Sequence, residues 1–278
     1  MSFLEHLEEL RWHIIRSVLA VVTFMIIAFV FKTFIFDNII LAPKNPAFFT
    51  NRLLCHIGET LFNTKALCIN SQHLNLINIK MSGQLTTHIA VSMVAGLILA
   101  FPIILWEFWQ FFKPALRPNE SMHARGAVTA ASMLFFVGVL FGYYLLAPLS
   151  MHFLGTYEIS PEVTNQINVR SYIGLLSSIC LATGVVFELP IIAYFLTKVG
   201  IVTPSFLRKY RKHSIVVIFI LSAIITPPDV FSQALVAIPL LFLYEISIFI
   251  SGRVMKGKEK KRDDFMNDDS AETKTTTT

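Results

Sequence analysis

Six apolar stretches, approximately residues 12–36, 86–109, 127–148, 172–197, 213–226 and 230–250, alternate with polar segments along the chain. A helix rises about 1.5 Å per residue, so about 20 apolar residues cross the roughly 30 Å of hydrocarbon in a bilayer. The pattern predicts an all-α polytopic membrane protein with six transmembrane helices. The first stretch does not read as a cleaved signal peptide. Glu5, Glu8 and Glu9 flank it, its apolar region is too long, and no small-x-small site follows. Just ahead of it, Leu4, Leu7 and Leu10 recur at close to helical spacing and predict an amphipathic turn leading into the membrane.

Bends and lengths refine this picture. Pro102, Pro190 and Pro239 each remove a backbone donor inside an apolar stretch, so the helices around them are expected to bend and the bundle to curve. The clean parts of the fifth and sixth stretches, residues 215–225 and 234–244, give about 17 Å each at helical rise, less than the bilayer thickness. The joint between them, TPPDVFSQ at Thr226 to Gln233, carries two prolines that end one helix, with Asp229 or Ser232 placed to cap the next.

Composition agrees with the apolar pattern. Of 278 residues, 54% are hydrophobic and 15% charged, and the mean hydropathy of +0.63 is too high for a wettable surface. Lysines and arginines then set orientation, because short basic loops stay in the cytoplasm. Lys113, Arg117 and Arg125 follow the second stretch, and Lys198, Arg208, Lys209, Arg211 and Lys212 follow the fourth. The end of the chain adds Arg253, Lys256, Lys258, Lys260, Lys261 and Arg262, whereas only Arg170 lies between the third and fourth stretches. Both termini are therefore expected in the cytoplasm, with residues 37–85 forming the main exported loop. Residues 1–250 read as one transmembrane unit and residues 251–278 as a disordered cytoplasmic tail.

Cys180 lies within the fourth stretch as a small apolar residue, while Cys55 and Cys68 share the exported loop. A disulfide between them would close a loop of about 14 residues, worth about 3 kcal/mol in the entropic description; two free thiols are the alternative. Glu188 is the deepest acid. It lies two residues before Pro190 and on one helix face with Ser177, Cys180 and Gly184, a small polar stripe that either packs closely on another helix or lines a wet groove. Glu107 and Glu245 sit close to stretch ends, where interfacial hydrogen bonds can satisfy them.

The acids of the first polar segment point outward to a ligand. Glu5 and Glu9 lie one turn apart, mildly unfavourable for a helix, and an external cation relieves that repulsion; a solvated face with Glu8 or Glu9 paired to Arg11 is the alternative. A carboxylate accepts two parallel hydrogen bonds from a guanidinium, a planar fork that lysine lacks. Two separated acidic sites, one here and one at Glu120 in the second polar loop, could discriminate paired arginines from paired lysines. No GxSxG, HExxH or comparable cluster occurs, and the dispersed histidines, such as His88 and His152, do not stand at ligand spacing. The pattern calls for no catalytic residues, metal, cofactor or nucleic acid.

HLEELR at His6 to Arg11, LAP at Leu41 to Pro43, FFKPALRPNE at Phe111 to Glu120, FELP at Phe187 to Pro190 and TPPDVFSQ occur in the order of one family. With these motifs the chain resembles TatC, the large subunit of the twin-arginine (Sec-independent) protein translocase. The resemblance implies a glove-like six-helix bundle in the cytoplasmic (inner) membrane, without enzymatic chemistry. Such a subunit recognises twin-arginine signal peptides of folded precursors. It works in several copies with small single-span TatA- and TatB-type subunits, using the proton-motive force.

Residue by residue, signal recognition is expected at Glu9, Arg11, Phe111, Pro114 and Glu120. Pro43 matches the exported-loop proline, Glu188 the intramembrane glutamate, and Asp229 and Gln233 the motif after the fifth span, with structural or partner roles. His13 departs from the basic residue usual two positions after Arg11. The competing expectation is a proton-coupled secondary transporter using Glu188, although such proteins commonly carry more buried charges and repeat symmetry.

Overall fold

The computed structural model describes residues 3–45, 47–61, 75–112, 124–160, 162, 165–226 and 230–275. The described residues are almost wholly helical. Helix α1 spans Phe3–Val30 and gives way to a π-turn at Ile35–Ile40 and a 3-10 turn at Ala42–Lys44. Helix α2, Phe49–Leu61, lies in the long first loop. Helix α3 is Gly83–Phe112 and α4 is Ala124–Phe141, which a π-turn at Gly142–Leu146 joins to α5, Ala147–Thr156. Helix α6, Val169–Phe187, breaks at Glu188 into α7, Leu189–Val199. Helices α8, Pro204–Lys209, α9, Arg211–Ile225, and α10, Val230–Thr275, complete the chain.

Among the described residues, five segments are long and apolar enough to cross a membrane: Leu7–Val30, Gly83–Phe111, Gly126–Thr156, Val169–Val199 and Gln233–Gly257. The expected fifth span is α9, whose 15 residues rise about 22 Å, short of the hydrocarbon thickness as foreseen. The last span is not short. Its apolar segment covers 25 residues, because Glu245 interrupts the run without ending it and apolar residues resume at Ile246.

The bend at Pro190 is where the sequence put it. Proline lacks the N–H that would continue α6, so the Glu188 N–H tightens onto Val185 O at 3.1 Å and a new helix starts with Pro190 in its first turn. Pro102 and Pro239, in contrast, lie inside continuous helices. Helix α7 ends on Gly200, whose φ of +96° suits glycine alone at no steric cost; Ile201 N–H then returns to Leu196 O at 2.9 Å. The tail expected to be disordered continues α10 to Thr275. Lysine, arginine and glutamate, which dominate residues 256–262, are good helix formers, so the backbone there has a local reason to stay helical.

Packing places α1 against α3, α4 against α6, and α10 against both α7 and α9. Glycine lets the helix backbones meet. A Cβ on Gly184 would lie 2.7 Å from Phe135 Cε2, and one on Gly138 would lie 2.7 Å from Thr183 O. One core cluster, including Ile40, Val91, Met151, Tyr172 and Leu176, sits towards the first-loop end of the bundle. A second, including Leu146, Ile179, Phe187, Ile218, Val236 and Leu240, joins α6 to α9 and α10.

The first loop is tied down by hydrogen bonds that the sequence does not announce. Tyr143 and Tyr172 donate to the carbonyls of Ile39 and Ile40 at 2.7 and 2.9 Å, and Thr50 donates to Tyr144 O. A short parallel pair, β1 (Leu76–Ile77) with β2 (Ile167–Asn168), links the end of that loop to the start of α6.

Candidate functional site

Of the residues expected to read signal peptides, Glu9, Arg11 and Phe111 come from two elements that the fold sets side by side. Helix α1 carries Glu9, half-buried, and Arg11, exposed, near its start. Helix α3 ends at Phe112 and carries Phe111, partly buried, in its last turn. Between them lies a clasp. His13 Nδ1 stands 2.6 Å from Glu107 Oε2, and Arg16 Nη1 is 3.7 Å from the same oxygen. With the proton on Nδ1, the imidazole donates to the carboxylate. The Phe111 ring meets His13 edge-on at 6.3 Å between centroids.

Two expectations change here. Glu107, read from sequence as a wet residue at a span end, is only 9% exposed and is satisfied by protein groups. His13, read as a lost basic contact, supplies that partner. Sequence reasoning missed the pair because its members stand 94 positions apart. The signal was one buried-type acid among Trp106, Phe108 and Trp109, for which aliphatic and aromatic neighbours offer no ligand. Close by, the Trp109 ring lies tilted against Phe195 at 4.7 Å between centroids and packs with Val128.

Pro114 and Glu120 lie outside the described residues, as does Asp229. Gln233, after that joint, donates from Nε2 to Phe219 O at 3.2 Å and so fastens α10 to α9. Arg211 pairs with Glu245 along the same seam, and Tyr244 donates to Leu207 O at 2.8 Å, tying α10 to α8 as well. Pro43 is buried in the 3-10 turn of the first loop. Cys55 is half-buried on α2 and disulfide-bonded, Cys180 is a free buried thiol, and Cys68 lies outside the described residues.

Glu188 occupies the break between α6 and α7. It is 7% exposed, and its Oε1 has no hydrogen-bond partner among the described residues. The stripe that precedes it is largely packed: Cys180 is buried, and Gly184 rests on Phe135 and Val139 of α4. An unsatisfied buried carboxyl oxygen is costly, and no polar group among the described residues meets this one.

Known proteins resemble the chain along nearly its whole length. A family model described as Sec-independent protein translocase protein (TatC) matches residues 5–239. The Sec-independent protein translocase protein TatC of Blattabacterium sp. subsp. Periplaneta americana is 40% identical over 93% of this chain and 97% of its own length. That of Aquifex aeolicus is 35% identical over 94% of this chain and 98% of its own. A crystal structure of the twin-arginine translocase receptor TatC superposes with a TM-score of 0.67 at 34% identity, covering 90% of this chain and 99% of that one. None of these relatives is a solute carrier, so the secondary-transporter reading has no support. The family match, the identities and the shared helical fold together establish that this multi-pass membrane protein belongs to the TatC family of Sec-independent protein translocase subunits.

Proposed function

We propose that this subunit is the twin-arginine signal-peptide receptor of a translocase that exports folded proteins across the cytoplasmic membrane on the proton-motive force. Glu9 and Glu120 accept the two guanidinium groups of the signal, each carboxylate offering the bidentate geometry that selects arginine over lysine. Arg11, Phe111 and Pro114 shape the same surface. The observation that carries this reading is the His13–Glu107 contact, which holds the Glu9-bearing start of α1 beside the last turn of α3, from which the segment bearing Glu120 departs. Family membership supports it, as does the receptor role named for the superposable crystal structure.

In this arrangement both termini face the cytoplasm, α9 is the short fifth membrane crossing and α10 the sixth. Residues 1–250 form the translocase unit, with residues 37–85 exported and residues 251–278 a cytoplasmic extension. Cys55 pairs with Cys68 in the exported loop. Small single-span partners of the TatA and TatB type dock beside α9 and α10 in a complex holding several copies of this chain. Asp229 and Gln233 keep that hairpin in shape, and Pro43 does so for the exported loop. Glu188 gives the apolar part of the signal, or a partner helix, a polar contact inside the membrane. The experiment is photocrosslinking of a precursor through its twin arginines. Glu9→Ala and Glu120→Ala are expected to abolish the adduct while abundance and membrane insertion are kept. Normal export by the double variant, or equal engagement of a twin-lysine precursor, overturns the reading.

A further inference from the structure

A slot of about 290 Å³ runs between α3 and α6 in the half of the bundle that carries the long first loop. Its walls are Ala90 and Val94 of α3 and Gly174, Ser177 and Leu181 of α6, and Arg170 stands at its mouth with Thr86 opposite. The walls present carbon more than donors. Ser178 donates back to Gly174 O at 2.7 Å, and Thr86 donates to Ser82 O and Gly83 O at 3.1 Å, so both hydroxyls are spent on their own helices. A Cβ on Gly174 would meet nothing within 4 Å, so the glycine there opens the slot and is not required by a neighbouring helix.

The dimensions and the charge point to one occupant. From Arg170 to Leu181 the helix rises about 16 Å, and one leaflet of a bilayer with a core of about 30 Å is about 15 Å deep. The slot is therefore about as long as one leaflet is deep, and Gly174 and Ser178 on its wall are exposed. Arg170 is exposed at its head end, and none of the ion pairs among the described residues includes it. Its backbone N–H is capped by Asn168 Oδ1 at 2.9 Å, and the β1–β2 pairing immediately before it fixes the chain across the mouth. A guanidinium held at headgroup depth beside an apolar slot fits a phosphodiester and the chain attached to it.

We propose that this slot is a binding site for a phospholipid of the leaflet on the first-loop side, with the phosphate on Arg170 and one acyl chain lying along Gly174 to Leu181. The inference rests on the membrane-spanning fold and is independent of how signal peptides are recognised. The test is native mass spectrometry of the full chain released from phosphatidylethanolamine–phosphatidylglycerol nanodiscs, with a photoreactive benzoylphenylalanine at Ser178 as a second probe. The wild-type protein is expected to retain a phospholipid and to form a lipid adduct. Arg170→Gln, a surface change, is expected to lower retention about tenfold or more, as loss of a charge-assisted contact should. Gly174→Leu, filling open space, is expected to abolish retention with thermal stability unchanged. Equal retention by all three proteins overturns the proposal. So does a protein adduct in place of the lipid adduct, or release of the lipid by inorganic phosphate with Gly174→Leu without effect.

Discussion

Helix α1 carries the proposed Glu9 and Arg11 contacts, yet it is the least buried of the five apolar segments. Its position depends on the seam with α3, and Gly96 is the closest point of that seam. A Cβ at Gly96 would lie 2.7 Å from Met25 N and 2.9 Å from both Met25 Cα and Val21 O. Favourable carbon contacts lie at about 3.5–4.0 Å, so even alanine must drive the two backbones apart by about 0.8 Å. Those atoms are backbone and cannot rotate away.

Overpacking of this kind costs about 1–3 kcal/mol, and a gap of about 0.5–1 Å forfeits a quarter to a half of each remaining dispersion contact along the seam. The docked state of α1 should therefore lose roughly 5- to 150-fold in population with Gly96→Ala, and more with Gly96→Leu. Electron–electron resonance between spin labels at Val22 and Met93, both exposed on the outer faces of α1 and α3, reads this directly. The distance distribution is expected to lengthen and broaden in Gly96→Leu, with a matching loss of precursor crosslinking. Gly126→Leu is the control, since a Cβ there meets nothing within 4 Å. An unchanged distribution in Gly96→Leu would refute the argument that close backbone approach holds α1.

Two further outcomes are expected. Glu107→Gln should destabilise the protein in detergent by roughly 2 kcal/mol, the value of a hydrogen bond to a charged group, and a double-mutant cycle with His13→Gln should return most of that as coupling; a coupling near zero refutes the clasp. Alkylation of the unreduced, denatured protein should label Cys180 and leave Cys55 unmodified, and Cys55→Ser should cost up to about 3 kcal/mol in stability if its partner closes the expected short loop; an alkylated Cys55, or an unshifted melting midpoint in the variant, counts against that bond.

The membrane architecture was legible in the amino-acid order because it follows from composition along the chain: an apolar run of sufficient length is a span wherever it packs. The break at Glu188 was legible for the same reason, since Pro190 lacks a donor regardless of its neighbours. Pro102 and Pro239 carry the same signal yet leave their helices continuous. A missing donor forces a local loss of one hydrogen bond, and surrounding packing decides whether the helix bends there. Glu245 likewise marked a boundary in the sequence that the fold does not keep, since the apolar helix runs on past it to Gly257.

What tertiary structure alone decided is which distant groups meet. Whether Glu107 is wet or clasped depends on His13, and whether Gly184 lines a groove or a helix contact depends on Phe135 of another helix. The slot beside Arg170 exists only where Ala90 and Gly174 face each other. Hydropathy is a property of each residue and accumulates along the chain, so it shows which segments are apolar enough to enter the membrane. Contact is a property of pairs, and its energy depends on separations of a few tenths of an ångström that folding sets and sequence position does not.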